Sequence, residues 1–193
     1  KVPLKEKIAY GAGTGFAFFT FMINSYFMIF MTNVLGISAV AAGNIFLIAR
    51  FWDAINDPMM GAIADRAKPG KLGQYRKFMA IGLIPVTLFF FLTFTPVKFG
   101  SYTALVIWAA VVYTCYGMAS TLYQVPYGVL LTTITDDSQQ RSIMASIREW
   151  CTNGYGFIVS ATAVALITYF GGGDLTARGY QYTAYLFGAI AFI

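Results

Sequence analysis

Histidine is absent from this 193-residue chain, and charged residues make up only 11% of it. Without histidine, the chain cannot ligate a metal or relay protons through imidazole groups. Because a soluble protein carries about 25% charged residues, this chain has too few to cover a surface that faces water. Its two cysteines, Cys115 and Cys151, both lie in apolar runs. They are expected to be small membrane-embedded residues rather than a disulfide or a metal pair.

Hydrophobic residues make up 58% of the chain, and its net charge is +5. The basic residues that produce this charge sit mostly in short clusters between long apolar runs. That distribution is typical of membrane topology rather than of a basic face that binds nucleic acid. We therefore expect a multi-pass protein whose surroundings are a lipid bilayer, with no nucleic acid partner.

The apolar runs predict six membrane-spanning helices. Residues 8–49 carry no charge and are about twice as long as one span requires, so they are expected to form two helices joined at Asn33 and Gly36–Ser38. Ser138 is expected to cap the fifth helix, and Pro126 to bend the fourth. The last helix reaches Ile193 before it is long enough to cross, so the chain is expected to be truncated within it. The predicted helices are Tyr10–Thr32, Ala39–Ala64, Phe78–Val97, Tyr102–Thr132, Gln139–Tyr169 and a sixth from Tyr180.

The distribution of lysine and arginine predicts the orientation. Basic residues accumulate on the cytoplasmic side of a membrane protein. One set of connections has only Lys98 and Arg178, so the richer side and the N-terminus are expected to be cytoplasmic, in a cell (inner) membrane. The richer side has nine basic residues: Lys1, Lys5, Lys7, Arg66, Lys68, Lys71, Arg76, Lys77 and Arg141.

A weak internal echo relates the second and fifth predicted helices. One contains Arg50-Phe51-Trp52 and the other Arg148-Glu149-Trp150. The two helices cross the membrane in opposite directions, as two inverted three-helix repeats over about 8–97 and 102–193 would require. A chance match explains the echo equally well.

The strongest chemical signal is a group of charges inside the second predicted helix, namely Arg50, Asp53 and Asp57. Spacings of three and four residues place them on one face, with Asn56 beside them. Each charge at the centre of a bilayer costs about 3 kcal/mol, so the group needs a partner, a wet cavity or a bound ion. Two carboxylates and an amide oxygen suit a hard monovalent cation. Alternatively, Arg50 pairs with one aspartate and only sets helix packing, although one arginine cannot neutralise two acids.

Polar residues of the fourth predicted helix can extend that site. The hydroxyl of Thr121 can add an oxygen to a cation site, and the amide of Gln124 can donate to and accept from a hydroxylated solute. Tyr116 lies close to both in sequence. An interfacial tyrosine belt is the alternative for the outer tyrosines of this helix.

Arg148 and Trp150 lie near the start of the fifth predicted helix, and Asn24 is a lone amide within the first. Arg148 can reach a central cavity, or it can equally extend to the cytoplasmic surface. Glu149 lies about 100° around the helix from Arg148, so it is not expected to neutralise it directly.

The second predicted helix reads Arg50-x-Trp52-Asp53-Ala54-Ile55-Asn56-Asp57-Pro58-Met59-Met60-Gly61, followed by Ala64-Asp65-Arg66. This string resembles the signature of the glycoside–pentoside–hexuronide:cation symporters, the melibiose-permease-like branch of the major facilitator superfamily. Supporting matches are Tyr10-Gly11-x-Gly13, Tyr116-Gly117-Met118, Pro126 and Arg148. The resemblance covers essentially the whole chain, which corresponds to the first six of twelve family helices.

The resemblance implies an all-α membrane fold, the six-helix N-domain of a major facilitator transporter over residues 1–193. It also implies a C-terminal six-helix half as a partner, no catalytic residue, and no cofactor other than Na⁺ or H⁺ as the coupling ion. The positions that match cation-binding residues are Asp53, Asn56, Asp57 and Thr121, and those that match solute-binding residues are Gln124 and Arg148. Further candidates for the solute site are Asn24, Tyr116 and Trp150, and those for structural or gating roles are Arg50, Asp65 and Arg66.

The implied function is symport of a sugar or glycoside with a cation by alternating access. A sodium-coupled lysolipid carrier of the same superfamily, or a membrane receptor or scaffold without transport activity, are the alternatives.

The solute is where this chain departs from the galactoside pattern. That pattern has an acid near Ala17–Phe18, another at the position of Gln124, and a tryptophan at the position of Gly128. A neutral amide beside an unneutralised Arg148 favours pentosides or hexuronides over neutral α-galactosides.

Overall fold

The computed structural model describes residues 2–70 and 73–192. Regular structure in these residues is helical, and the one bridge of strand type joins Gly70 to Gly73, so the expected all-α fold is confirmed. Lys1, Lys71 and Ile193, which entered the predictions of orientation and chain end, lie outside the described residues. The α-helices are α1 (Leu4–Ala12), α2 (Ala17–Met22), α3 (Ala39–Arg66), α4 (Arg76–Thr93), α5 (Tyr102–Ile134), α6 (Ser138–Gly171) and α7 (Ala177–Phe192).

Helices α3 to α7 correspond to the second to sixth predicted helices. By length and hydropathy, α4, α5 and α6 can each cross a membrane. Among these five helices the largest difference from prediction is the end of α4, which was expected at Val97 and lies at Thr93. Pro96 explains the earlier end, because a proline disfavours the helical conformation in the residue before it and has no N–H to donate.

The caps of two helices were predicted, one correctly. Gly36 has a positive φ of 72°, and the Ser38 hydroxyl accepts from the amide of Ala41 at 3.3 Å, which confirms the turn before α3. The prediction that Ser138 caps the fifth helix is wrong, because Asp137 caps α6 instead. Its carboxylate accepts from the amides of Gln139 and Gln140 at 2.9 and 3.4 Å. A carboxylate at this position also interacts favourably with the positive end of the helix dipole.

The first predicted helix is helical where expected, but its winding changes along its length. A 3₁₀ segment (Gly13–Phe16) separates α1 from α2, and two π segments (Ile23–Phe27 and Phe30–Val34) follow α2. We call the whole stretch, residues 4–34, the first column. Side chains that bond to helix carbonyls commonly disturb a helix. The hydroxyl of Tyr123 in α5 donates to the carbonyl of Gly13 at 2.8 Å, at the start of the 3₁₀ segment.

Two glycines let the first column approach two other helices closely. A Cβ atom on Gly11 would lie 2.9 Å from the Ile147 side chain in α6, and one on Gly13 would lie 3.2 Å from the Tyr127 ring in α5. Small residues at such positions allow close helix packing in membranes. The first column is therefore central to the bundle.

The helices contact one another in a reciprocal pattern. The first column packs against α6 and α7, while α5 packs against α3 and α4. Two related three-helix units would produce this pattern, because the first helix of each unit then contacts the second and third helices of the other. The repeat relation itself stays a prediction. Fully buried aromatic rings fill the centre of the bundle, among them Phe19, Phe27, Phe30, Phe90 and Phe94.

Three segments that were predicted to be cytoplasmic lie together at one end of the bundle. Glu6 near the N-terminus, Gln74 in the α3–α4 connection and Thr133 at the end of α5 line one cavity of about 670 Å³. The structure therefore places these segments on one side of the bundle, and which side of the membrane that is remains a prediction.

Cysteine labelling tests this orientation. In a variant whose native cysteines are replaced by alanine, Gly70→Cys should react with a membrane-impermeant maleimide only after the cells are opened, because Gly70 lies on the basic side. Gly100→Cys, in the exposed α4–α5 connection, is the matched control and should react in intact cells. Labelling of Gly70→Cys in intact cells would contradict the predicted orientation.

Candidate functional site

A polar cavity of about 320 Å³ lies between the first column, α3 and α5. It brings together seven of the twelve predicted site residues, from helices that are far apart in sequence. The seven are Asn24, Arg50, Asp53, Asp57, Tyr116, Thr121 and Gln124.

A direct contact joins α3 to α5 in this cavity. The hydroxyl of Thr121 lies 2.8 Å from Oδ1 of Asp57, to which it donates, and 3.1 Å from the carbonyl of Gly117. Thr121 is buried, with 5% of its surface exposed, whereas Asp57 lies on the exposed side of the cavity. The predicted proximity of Thr121 to the acidic group is thus what the structure shows.

Asp53 rests against the backbone of α5, because position 117 has no side chain. A Cβ atom on Gly117 would lie 2.9 Å from Oδ1 of Asp53, closer than such atoms normally approach. Gly117 therefore makes room for the carboxylate. The sequence analysis used Gly117 only as a family match and missed this role. Gly117 precedes Thr121 by one helical turn, but nothing in the sequence links it to Asp53.

Arg50 shares the cavity with both aspartates but does not form an ion pair with either of them. Among the described residues, the one salt bridge joins Arg148 to Glu149. Two carboxylates and one guanidinium thus lie around a space large enough for water or an ion. The alternative in which Arg50 pairs with an aspartate to hold α3 in place has no such contact to support it.

Asn56 does not join this group. The sequence spacing placed it beside the aspartates, but it is 9% exposed and does not line the cavity. Its side-chain nitrogen Nδ2 is buried and has no hydrogen-bond partner among the described residues. Asn56 lies one residue, and about 100° around the helix, before Asp57. That rotation turns it into the helix packing while Asp57 remains in the cavity.

A second cavity of about 280 Å³ lies beside the first, between the first column, α5 and α6. Arg148, Glu149 and Tyr127 line it, and its lining shares Thr20 and Gln124 with that of the first cavity. Of the two positions considered for Arg148, the structure shows the one that faces a cavity. The predicted solute-site residues Gln124 and Arg148 therefore line the same space.

The expectation that Glu149 leaves Arg148 unneutralised is wrong. Nη2 and Nε of Arg148 lie 2.8 and 3.3 Å from Oε1 of Glu149. The angle around the helix separates their Cα atoms, but both side chains are long enough to fold towards each other. The guanidinium therefore already has a carboxylate partner before any solute binds.

Three further predicted residues lie away from both cavities. Trp150 is 81% exposed and lines neither of them. Asp65 and Arg66 end α3, where the hydroxyl of Tyr75 donates to Oδ1 of Asp65 at 3.1 Å. Gln74, which the sequence analysis missed, donates to the carbonyls of Ala64 and Asp65 at 2.9 Å each. These contacts tie the α3–α4 connection to the last turn of α3.

A tyrosine cluster joins the first column to α5 next to the second cavity. The rings of Tyr10 and Tyr127 stack with centroids 4.8 Å apart, and the hydroxyl of Tyr127 donates to the carbonyl of Tyr10. Tyr123 stacks on Phe16 and donates to the carbonyl of Gly13. The sequence analysis used Tyr10 only as part of a family match and did not predict this cluster. A helical spacing of four between Tyr123 and Tyr127 was the available signal.

The substitution Tyr123→Phe should lower stability without removing the aromatic stacking. It leaves the carbonyl of Gly13 without its donor, and such bonds in membranes contribute about 1 kcal/mol. Thermal unfolding of a purified protein that contains this chain, in detergent, should therefore shift to lower temperature. Tyr169→Phe is the matched control, because Tyr169 is 80% exposed. Equal unfolding temperatures for the two variants would show that the Tyr123 bond contributes nothing.

Comparison with known proteins shows the family of this chain. A family described as MFS/sugar transport protein matches residues 9–193. The chain is 32% identical to the inner membrane symporter YicJ of Escherichia coli, over 100% of this chain and 41% of that protein. It is 33% identical to the uncharacterized symporter YjmB of Bacillus subtilis, over 98% and 41%. It is 31% identical to the isoprimeverose transporter of Lactiplantibacillus pentosus, over 100% and 40%. The chain thus spans about two fifths of the length of these relatives, and the resemblance drawn from its sequence is confirmed.

Proposed function

The chain belongs to the MFS/sugar transport protein family, and on that premise we propose that it is the N-terminal half of a cation-coupled sugar or glycoside symporter. A second six-helix half completes the transporter, and the solute binds between the halves during alternating access. The transporter lies in the cell membrane with its N-terminus in the cytoplasm. Arg50, Asp57 and Gln124 are exposed on the open side of the cavity in this chain, which is the side that a second half would cover.

One observation carries the proposal: two aspartates share a polar cavity with no ion pair to neutralise either of them. A carboxylate at membrane depth is costly unless it is compensated. Oxygens of Asp53, Asp57 and Thr121 converge from α3 and α5, which suits Na⁺ or a proton as the coupling ion. Asn56 is a weaker candidate ligand than its spacing suggested, because it does not line the cavity.

The second cavity supports a hydroxylated solute. Its polar groups are a guanidinium, a carboxylate, an amide and several hydroxyls, which together donate to and accept from sugar hydroxyls. A lysolipid would need a broad apolar cleft instead. The pair between Arg148 and Glu149 removes the argument for a uronide, because the guanidinium is already neutralised. Neutral glycosides that contain a pentose are therefore favoured, in keeping with the relative named for isoprimeverose.

The two cavities lie close together along α5, and this proximity can link cation binding to solute binding. A cation bound at Asp57 acts on Thr121, and Gln124 lies three residues further along the same face of α5. Cation binding would therefore set the position of the α5 face that contacts the solute. Because coupling is a shared free energy, the solute must strengthen cation binding by the same factor.

Uptake into membrane vesicles tests the proposed function. Vesicles that contain the complete transporter should accumulate isoprimeverose or methyl β-xyloside when an inward Na⁺ or H⁺ gradient is imposed, and not when the gradient is collapsed. Melibiose should compete weakly. Failure to accumulate any of these sugars under either gradient would count against sugar symport.

The substitution Asp57→Asn should abolish gradient-driven accumulation while leaving solute exchange across the membrane measurable. The variant keeps the size of the side chain and its bond to Thr121 but removes the charge that attracts the cation. Asp174→Asn, in the exposed α6–α7 connection, is the matched control and should accumulate solute as the wild type does. If Asp57→Asn also accumulates solute normally, this aspartate has no part in coupling.

The substitution Gly117→Ala should weaken the cation dependence of transport. The added methyl group would force the Asp53 carboxylate to move, and displaced supporting contacts around an ion typically cost about 10- to 100-fold in affinity. Gly128→Ala is the matched control on the same helix, because no atom lies within 4 Å of the Cβ position there. The measurement is the Na⁺ or H⁺ concentration that gives half-maximal uptake. An unchanged value in Gly117→Ala would show that the Asp53 position does not matter.

A further inference from the structure

Thr20 lies where the two cavities meet. Thr20 and Gln124 are the residues that line both of them, Thr20 from α2 and Gln124 from the facing side of α5. The aspartates line only the first cavity, and Arg148 and Glu149 line only the second. A solute that reaches from Arg148 towards the aspartates must therefore pass between Thr20 and Gln124.

The hydroxyl of Thr20 is not used by its own helix. Thr14, one and a half turns earlier, donates to the carbonyl of Gly11 at 2.6 Å. Thr87 in α4 and Thr152 in α6 likewise donate to the carbonyl four residues before them, at 2.8 and 2.9 Å. Among the residues that the structure describes, no backbone carbonyl accepts from Thr20. Threonine in a membrane helix normally makes such a bond.

The surroundings of Thr20 are polar enough to hold a hydroxyl group of a solute. The hydroxyl of Tyr116 on α5 lies within hydrogen-bonding range of that of Thr20, and Asn24 follows one turn later on the same face of the first column. Gln124 supplies both a donor and an acceptor on the opposite wall. A sugar hydroxyl at this junction would thus find hydrogen-bonding groups on two sides.

We propose that Thr20 is a specificity-determining residue, which hydrogen-bonds a sugar hydroxyl at the junction of the two cavities. This inference rests on the proposed symport function. It also sets a minimum length for the solute. One part of the solute lies against Arg148 and Glu149, and a part that bears a hydroxyl lies between Thr20 and Gln124. The Thr20 hydroxyl recognises the solute and does not bind the cation, because the aspartates and Thr121 supply that site.

The test compares Thr20→Val with Thr20→Ser in the complete transporter. Valine keeps the shape and removes the hydroxyl, so the KM for isoprimeverose or methyl β-xyloside should rise about three- to tenfold, as expected for one lost hydrogen bond. The maximal rate and the cation concentration for half-maximal uptake should change little. Serine should restore the KM. Thr87→Val, which removes a hydroxyl outside both cavities, should behave as the wild type.

Monodeoxy analogues of the transported sugar identify the contact. The analogue that lacks the hydroxyl contacted by Thr20 should bind the wild type as weakly as the parent sugar binds Thr20→Val. For this analogue alone, the KM should be the same in the wild type and in Thr20→Val. If Thr20→Val lowers only the maximal rate, or if every analogue is weakened equally, Thr20 has a packing role and the inference is wrong. If the wild type transports none of the sugars under any gradient, the proposed function fails instead.

Discussion

Ionised side chains are expensive in the middle of a bilayer, and α3 has three of them within eight residues. The cost is about 3 kcal/mol for each charge even on a lenient scale. Arg50, Asp53 and Asp57 do not recover that cost by pairing with one another at short range. Their compensation instead comes from a polar cavity that opens between α3, α5 and the first column. Residues of the neighbouring helices around the cavity accommodate these groups, and under the proposed function they keep the aspartates accessible to a coupling ion.

Helix α5 contacts both aspartates. Gly117 leaves space for the carboxylate of Asp53, and one helical turn later Thr121 donates a hydrogen bond to that of Asp57. The same face continues to Gln124 and into the second cavity. On the opposite wall, the first column changes from α to 3₁₀ to π winding. Such departures from α geometry are frequent at functional sites, and here they flank α2, whose Thr20 lines both cavities.

Much of this arrangement could be predicted from the sequence, and the failures have physical causes. Long charge-free runs locate membrane helices well. One continuous stretch must satisfy its own backbone hydrogen bonds and also present apolar side chains to the lipid. The acidic face of α3 was predictable for the same reason. Asn56 was misplaced because helical spacing assigns a face but does not say which neighbour that face meets. The pair between Arg148 and Glu149 was missed because backbone angles say little about where long side chains end. Contacts between distant segments, such as Gly117 with Asp53, leave no local signature.

A calorimetric binding cycle on the purified transporter tests the central claim most directly, namely that the aspartate cavity holds a cation whose binding is linked to solute binding. The affinity for isoprimeverose or methyl β-xyloside would be measured with and without Na⁺ at two pH values, and the affinity for Na⁺ with and without the sugar. The account predicts that Na⁺ or protons strengthen sugar binding, and that the sugar strengthens binding of that ion by the same factor. It also predicts that Asp53→Asn removes this linkage. Sugar binding that is independent of Na⁺ and of pH in the wild-type protein would contradict the account.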